Sequence, residues 1–175
     1  ATGWRWTWFV IAGKVGTATN WGTWDDFRQL HAAGHDIQSH SVQHLGYGKA
    51  APLTIEQEYA DSRAIIEREI PGSRCLTLAY PNGYQPPNDS AVAARFYLAC
   101  RGVKGVPNPA DQTDYRNVNS VSGAAGFLEP AKHWASFEGM LDPANRGKFR
   151  AWYSAHFHGL TDELKAHVVA VLARL

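Results

Sequence analysis

Short apolar runs alternate with amphipathic helical stretches along most of this chain, and few architectures accept that order. The run WTWFVIA (6–12) has the length and character of a buried strand. TWDDFRQLHAAG (23–34) predicts a helix with Thr23 as its N-cap, acids in its first turn and Gly34 as its stop. HDIQS (35–39) predicts a short strand. Periodicity is clearest over TIEQEYADSRAIIEREIPG (54–72). There Thr54 and Gln57 can form a capping box, Ile55, Tyr59, Ile66 and Ile70 share a face, and Pro71-Gly72 ends the helix. RCLTLAYPNG (74–83) follows as a strand running into a turn, DSAVAARF (89–96) as a short helix, and YLACRG (97–102) as the next strand. Residues 103–130 are rich in Pro, Asn, Gly and Asp and predict a long irregular connection, with a strand near NVNSV. KFRAWYSAHFHG (148–159) contains the last strand. TDELKAHVVAVLARL (161–175) predicts a closing helix with Leu164, Val168, Val171 and Leu175 inward. Such strand–helix alternation predicts an α/β fold with a parallel sheet, open or closed into a barrel, in one domain spanning 1–175.

In folds of that kind chemistry gathers at the carboxyl ends of the strands. The segments SHSVQH, YPNG, CRG and HFHG all fall there. Eight histidines placed at random in 175 positions would give about 0.4 pairs spaced i,i+4. Two such pairs occur, His31/His35 and His40/His44. Gly34 splits the first between a helix end and a strand start. The second follows a strand and can open the next helix, where i,i+4 side chains share a face. Two neutral imidazoles so placed can hold a Zn²⁺-like ion at roughly 2.0–2.1 Å per bond; two loop histidines bonded to backbone are the plainer alternative. His156 and His158, if on a strand, point to the same side, and one of them is a candidate general acid.

Composition narrows the partners. A formal charge of +1 offers no basic stripe for nucleic acid, and no apolar run approaches the length of a membrane span. Seven tryptophans are many for this length; most belong to packing, but exposed indoles are flat platforms for sugar rings. Cys75 and Cys100, near opposite ends of neighbouring strands, stand too far apart to bridge, so both are expected as free thiols.

The segments WTWFVIAGKVG, WDDFRQLHAAGHDIQSHSVQH, LTLAYPNGY, YLACRG and WYSAHFHGL occur in the order found in carbohydrate esterase family 4 polysaccharide deacetylases, the NodB-homology domain. GHDIQSHSVQH is the most specific of them and resembles the family's GHEI-x-x-H-[ST]-x-x-H signature almost position for position. The resemblance implies a distorted (β/α) barrel, a divalent metal, usually zinc, and hydrolysis of N-acetyl groups on amino sugars or O-acetyl groups on xylan-like polymers. It makes His40 and His44 metal ligands, with Ser41 a local hydrogen-bonder between them. AYPNG stands where the family has an Arg-x-Pro-Tyr-Gly turn: Pro81 and Gly83 match, Ala79 replaces the arginine, and Asn82 takes the position whose backbone N–H helps bind the oxyanion. Arg101 is a candidate to replace the missing guanidinium, a surface salt bridge being the alternative. His158 matches the family's late catalytic histidine, the proton donor to the leaving group. His156 stands where leucine usually lines the acetyl pocket. Tyr80, Pro81, Trp152 and His156 are the candidate substrate contacts.

The chain departs from the family pattern at its start. The family opens with a strand ending Thr-Phe-Asp-Asp, whose aspartates supply the base and the third metal ligand. Only 39 residues precede His40 here, and the first strand–helix unit is expected to be missing. TWDD imitates the motif but sits inside the helix before GHDI, so Asp25 and Asp26 read as helix-start residues. A missing unit would expose a barrel strand edge and invite a homodimer. The expected function is metal-dependent removal of acetyl groups from a carbohydrate. A non-catalytic carbohydrate-binding pseudoenzyme and a small-ester esterase with the same metal centre are the alternatives. The expected location, secreted or periplasmic, follows from where acetylated polysaccharides occur.

Overall fold

The computed structural model describes residues 3–45, 54–83, 87–112, 114–122, 144, 151–152, 154–158 and 162–173. These fall into two compact units: Gly3–Gly102 with Asp114–Val118, and Val103–Thr113 with Asn119–Leu175. The first holds β1 (Thr7–Val10), α1 (Trp24–Ala32), β2 (Asp36–Ser39), α2 (Ile55–Glu69), β3 (Thr77–Ala79), α3 (Pro87–Ala93) and β4 (Ala99–Arg101). Its strands form one sheet in the order β1-β2-β3-β4, every neighbouring pair parallel. The parallel sheet expected from the alternation is present.

Local signals set the helix boundaries where they were expected. Thr23 accepts the Asp26 N–H and Asp26 reaches back to the Thr23 N–H, a complete capping box; Thr54 and Gln57 repeat it at the start of α2. Asp25 pairs with Arg28 at 2.6 Å, so both acids of TWDD serve the helix start. The Thr23 N–H holds the Asp26 carboxyl below its ordinary pKa. After α1, Gly34 turns the chain at φ 87°; a Cβ there would also lie 2.6 Å from Arg5 Nε.

The core lies where α2 covers the sheet. Tyr59 and Ile66 from the apolar face of α2, and Ile70 at its C-cap, pack with Val10, Ile37, Leu78, Tyr80, Tyr97, Cys75 and Cys100, and Ile55 packs on this cluster from its edge. Each large apolar side chain so buried stabilises the fold by about 1.5–3 kcal/mol. Both cysteines are free, as expected, and burial pushes the thiols up to about 12 for Cys75 and about 11 for Cys100. One expectation is corrected. Among the described residues β1 is an edge strand and not a buried one: Thr7 and Trp8 are exposed, Phe9 is half-buried, and only Val10 of this strand enters the core. A strand flanked on one side alone leaves its outer half in water.

Between β2 and β3 the direct register is limited to Ser39 opposite Leu78. Behind that point Gln38 bridges with its side chain. Its Oε1 accepts from Leu76 N and Thr77 N, both at 2.7 Å, and its Nε2 donates to Arg74 O at 2.9 Å. The Tyr59 hydroxyl donates to the carboxylate of buried Asp89. Burial raises the Asp89 pKa, and the Tyr59 bond opposes that shift. A carboxyl with a folded pKa above its unfolded value contributes stability that is full below about pH 4 and is lost as pH rises through the folded value. Asp89→Asn keeps an acceptor for Tyr59 and cannot ionise. Its urea-unfolding stability should therefore fall less than the wild type's between pH 4 and pH 7; parallel profiles would show that Asp89 is not penalised by burial.

The second unit contains β5 (Asn108–Pro109), β6 (Val121–Ser122), β7 (Ala151–Trp152), β8 (Ala155–His156) and α4 (Asp162–Leu172). β5 pairs antiparallel with β7, and β6 pairs parallel with β8. Two short strands thus occupy the stretch where one was expected, and the expected strand near NVNSV is β6. Asn108 clasps Asn119 through both its amide atoms, at 2.9 and 2.7 Å. Val168 is buried on α4 as expected, whereas the side chains of Leu164 and Val171, and all of Leu175, lie outside the described residues.

Candidate active site

β2 delivers His40 to the carboxyl end of the sheet, where its N–H extends the ladder by donating to Val10 O at 2.8 Å. The chain does not continue into a helix, which corrects the reading from i,i+4 spacing. It turns instead, with Ser41 at φ 66° and His44 at φ 61°. Left-handed backbone at residues other than glycine costs on the order of 1–3 kcal/mol each and persists only where the surroundings hold it. Here they do. Ser41 accepts the His44 N–H on its Oγ at 2.9 Å, Ala12 N and Gly13 N donate to the carbonyls of Ser41 and Val42, and Glu58 Oε2 accepts from Val42 N and Gln43 N.

The turn achieves what a helix was expected to do: the rings of His40 and His44 meet edge to face with centroids 4.6 Å apart. His40 Nδ1 lies 2.7 Å from Ala79 O. A carbonyl only accepts, so Nδ1 carries the proton and a neutral ring presents its Nε2 lone pair. A carbonyl-anchored imidazole is the usual arrangement of a metal-ligating histidine. Two imidazoles bound to one tetrahedral ion have ring centres roughly 5 Å apart. The 4.6 Å between the His40 and His44 centroids is close to that spacing. Among the described residues no third His, Cys, Asp or Glu joins them.

Arg101 ends β4 and lies beside Ala79 in register. One step on from the Ser39–Leu78 pair, His40 lies beside Ala79 on its other side. Neighbours across parallel strands point to the same face, so His40 and Arg101 flank small Ala79 on one face, roughly 10 Å apart at the backbone. The Arg101 guanidinium sits over the Phe9 ring, 5.2 Å from its centroid, and burial lowers its pKa to about 10, leaving it charged at neutral pH. The Tyr80 N–H donates to Arg101 O at 3.0 Å, which ties the Pro-Asn-Gly turn to the end of β4. In that turn Asn82 is exposed and left-handed, at φ 60° and ψ 9°.

Tyr80 and Pro81, expected at the substrate, are corrected to core residues. Tyr80 is 1% exposed, packs against Tyr59, and donates its hydroxyl to Arg116 O at 3.1 Å. Pro81 is fully buried beside it in sequence. In the second unit Trp152 is 37% exposed, so its indole is open to a ligand. His156 is buried with Nδ1 2.9 Å from Ser120 Oγ, and His158 is exposed, its ring centroid 5.5 Å from that of His156.

Residues 1–99 match the family described as polysaccharide deacetylase. The chain belongs to the polysaccharide deacetylase family. A gellan lyase from a Bacillus species is 36% identical over 166 residues, which are 93% of this chain but 6% of that protein. This member of the family thus spans a small fraction of that relative. A Streptococcus pyogenes deacetylase solved in complex with acetate superimposes with a TM-score of 0.58 at 22% identity, over 67% of this chain and 52% of that one. Another deacetylase, solved with substrate, gives a TM-score of 0.57 at 16% identity, over 95% of this chain and 69% of that one. The parallel sheet with its connecting helices is the deacetylase fold.

Glu58, Ala12 and Gly13, which hold the histidine turn from outside, were not evident as site residues from the sequence. For Glu58 a signal was present, since an acid beside Tyr59 and one turn from Ser62 on a core-facing helix is misplaced unless it has a buried task.

Proposed function

We propose that this chain holds a divalent metal ion, zinc by preference, between His40 and His44, and that it removes acetyl groups from a carbohydrate polymer. The carrying observation is the turn at the end of β2: two imidazoles meet there, and one is anchored through Nδ1 to Ala79 O. Membership of the deacetylase family supports the reaction class. A relative named as a gellan lyase supports a polymeric carbohydrate as the partner. When bound, the ion would supply Lewis acidity toward an acetyl carbonyl and acidify an attacking water.

The chain's own groups take the remaining roles. The Asn82 N–H, set by a left-handed backbone, donates to the oxyanion; its role survives a change of side chain because it uses the main chain. Arg101 keeps a positive charge on the same sheet face as His40 and favours developing negative charge there. His158, exposed in the second unit, protonates the leaving amine or alcohol. Because acetylated polysaccharides occur mostly outside the cytoplasm, a secreted or periplasmic location goes with this reading.

The test is acetate release from acetylated chito-oligosaccharides and from acetylxylan. Release should disappear on chelation and return with zinc. If zinc-replete protein frees no acetate from either polymer, the activity is refuted. Glycan binding that persists unchanged in His40→Ala and His158→Ala would then identify a binding module.

A further inference from the structure

Glu58 projects from the first turn of α2 into the protein and is 0% exposed. Its Oε2 accepts two main-chain N–H groups, from Val42 at 3.0 Å and from Gln43 at 2.8 Å. Those residues belong to the segment that separates His40 from His44. Its Oε1 is buried and has no hydrogen-bond partner among the described residues. A buried carboxylate is costly unless it is strongly hydrogen-bonded, and here the compensation comes from this one segment. The same three-residue stretch contains left-handed Ser41, and left-handed His44 closes it. Neither residue has a glycine's freedom, so the conformation that turns His44 back onto His40 needs a restraint from outside the turn.

We infer that Glu58 is a positioning residue that sets the separation of the His40 and His44 rings, and thereby the affinity of the pair for a divalent cation. The inference rests on the proposed metal site. Glu58 acts through the main chain: two charge-assisted bonds to adjacent N–H groups fix two of the four peptide planes between the ligands. Free of that restraint, the turn would relax toward right-handed backbone and the rings would part. Outer partners of metal ligands commonly change metal affinity about 10- to 100-fold when removed.

The test measures the Zn²⁺ dissociation constant of the full chain by competition with a chromophoric chelator, for wild type, Glu58→Ala, Glu58→Asp and Glu58→Gln. It is paired with amide hydrogen exchange at Val42 and Gln43 in metal-free protein. Alanine removes the acceptor, aspartate falls one methylene short, and glutamine retains a carbonyl oxygen of the right reach. Zinc affinity should fall at least about tenfold in Glu58→Ala, less in Glu58→Asp, and return to within about threefold of wild type in Glu58→Gln. The two amides should exchange faster in the same order. Should the alanine variant fail to fold, the aspartate–glutamine pair carries the comparison. Faster exchange with unchanged zinc affinity would overturn the inference, leaving Glu58 as a loop staple; equal losses in the aspartate and glutamine variants would overturn it as well. Wild-type protein that binds no zinc would instead sink the metal reading, and this inference with it.

Discussion

Replacing His40 by alanine should cut acetate release by roughly a thousandfold and remove tight zinc binding, while leaving the protein folded. The size follows from what the proposed ion would contribute: Lewis-acid stabilisation of several kcal/mol, where each 1.36 kcal/mol is worth a factor of ten. The fold should survive because the main chain of His40 keeps its 2.8 Å bond to Val10 O, while the side chain gives up its bond to Ala79 O and its contact with the His44 ring. A hydrogen bond of that kind contributes about 1 kcal/mol net. Circular dichroism and thermal melting of His40→Ala should therefore stay near wild type, while zinc titration shows the loss. Activity equal to wild type at a tenth of the zinc concentration would remove His40 from the metal site.

A larger structural effect is expected from a residue without a side chain. Gly13 donates its N–H to Val42 O at 2.8 Å, and a Cβ on Gly13 would stand 2.6 Å from that same oxygen and 3.1 Å from Val42 Cγ1. No real Cβ approaches a main-chain oxygen so closely, so Gly13→Ala must push the Ala12–Lys14 turn and the histidine turn apart. Overpacking of this kind costs about 1–3 kcal/mol, a fall in melting temperature of roughly 2–12 °C for a chain of this size. Zinc affinity should fall with it, because Gly13 and Glu58 hold residues 41–43 from two sides. Gly16→Ala is the control. At Gly16 the φ of 71° would strain an alanine, but a Cβ there would meet nothing within 4 Å, so this variant should lose stability without losing zinc. If Gly13→Ala binds zinc as wild type does, the contact with Val42 does not shape the site.

The parts of this molecule that were legible in its sequence are those written in local chemistry. Capping boxes at Thr23 and Thr54 announce the helices because donor and acceptor lie three residues apart. The apolar face of α2 announces the core for the same reason. The histidine pair was legible as a pair, but not its conformation. Positive φ at Ser41 and His44 is imposed by Glu58, Ala12 and Gly13, which are distant in sequence or silent in pattern. Tyr80 was misjudged because β3 is a central strand. With neighbours on both edges and Leu78, Ala79 and Tyr80 all buried, alternation no longer tells an inward side from an outward one. Trp8 was misjudged in the opposite sense, since an apolar run does not say whether its strand lies at an edge.

The amide of Gln38 carries a geometric corollary. A side chain takes the place of main-chain ladder bonds only where two backbones have drawn too far apart to reach each other, so β2 and β3 splay at their amino-terminal ends and converge toward Ser39 and Leu78. One residue past that register point, the His40 ring bonds to Ala79 O at 2.7 Å. The strands work like the ribs of a folding fan, spread at the rim by one glutamine and gathered at the pivot, and the imidazole sits at the pivot.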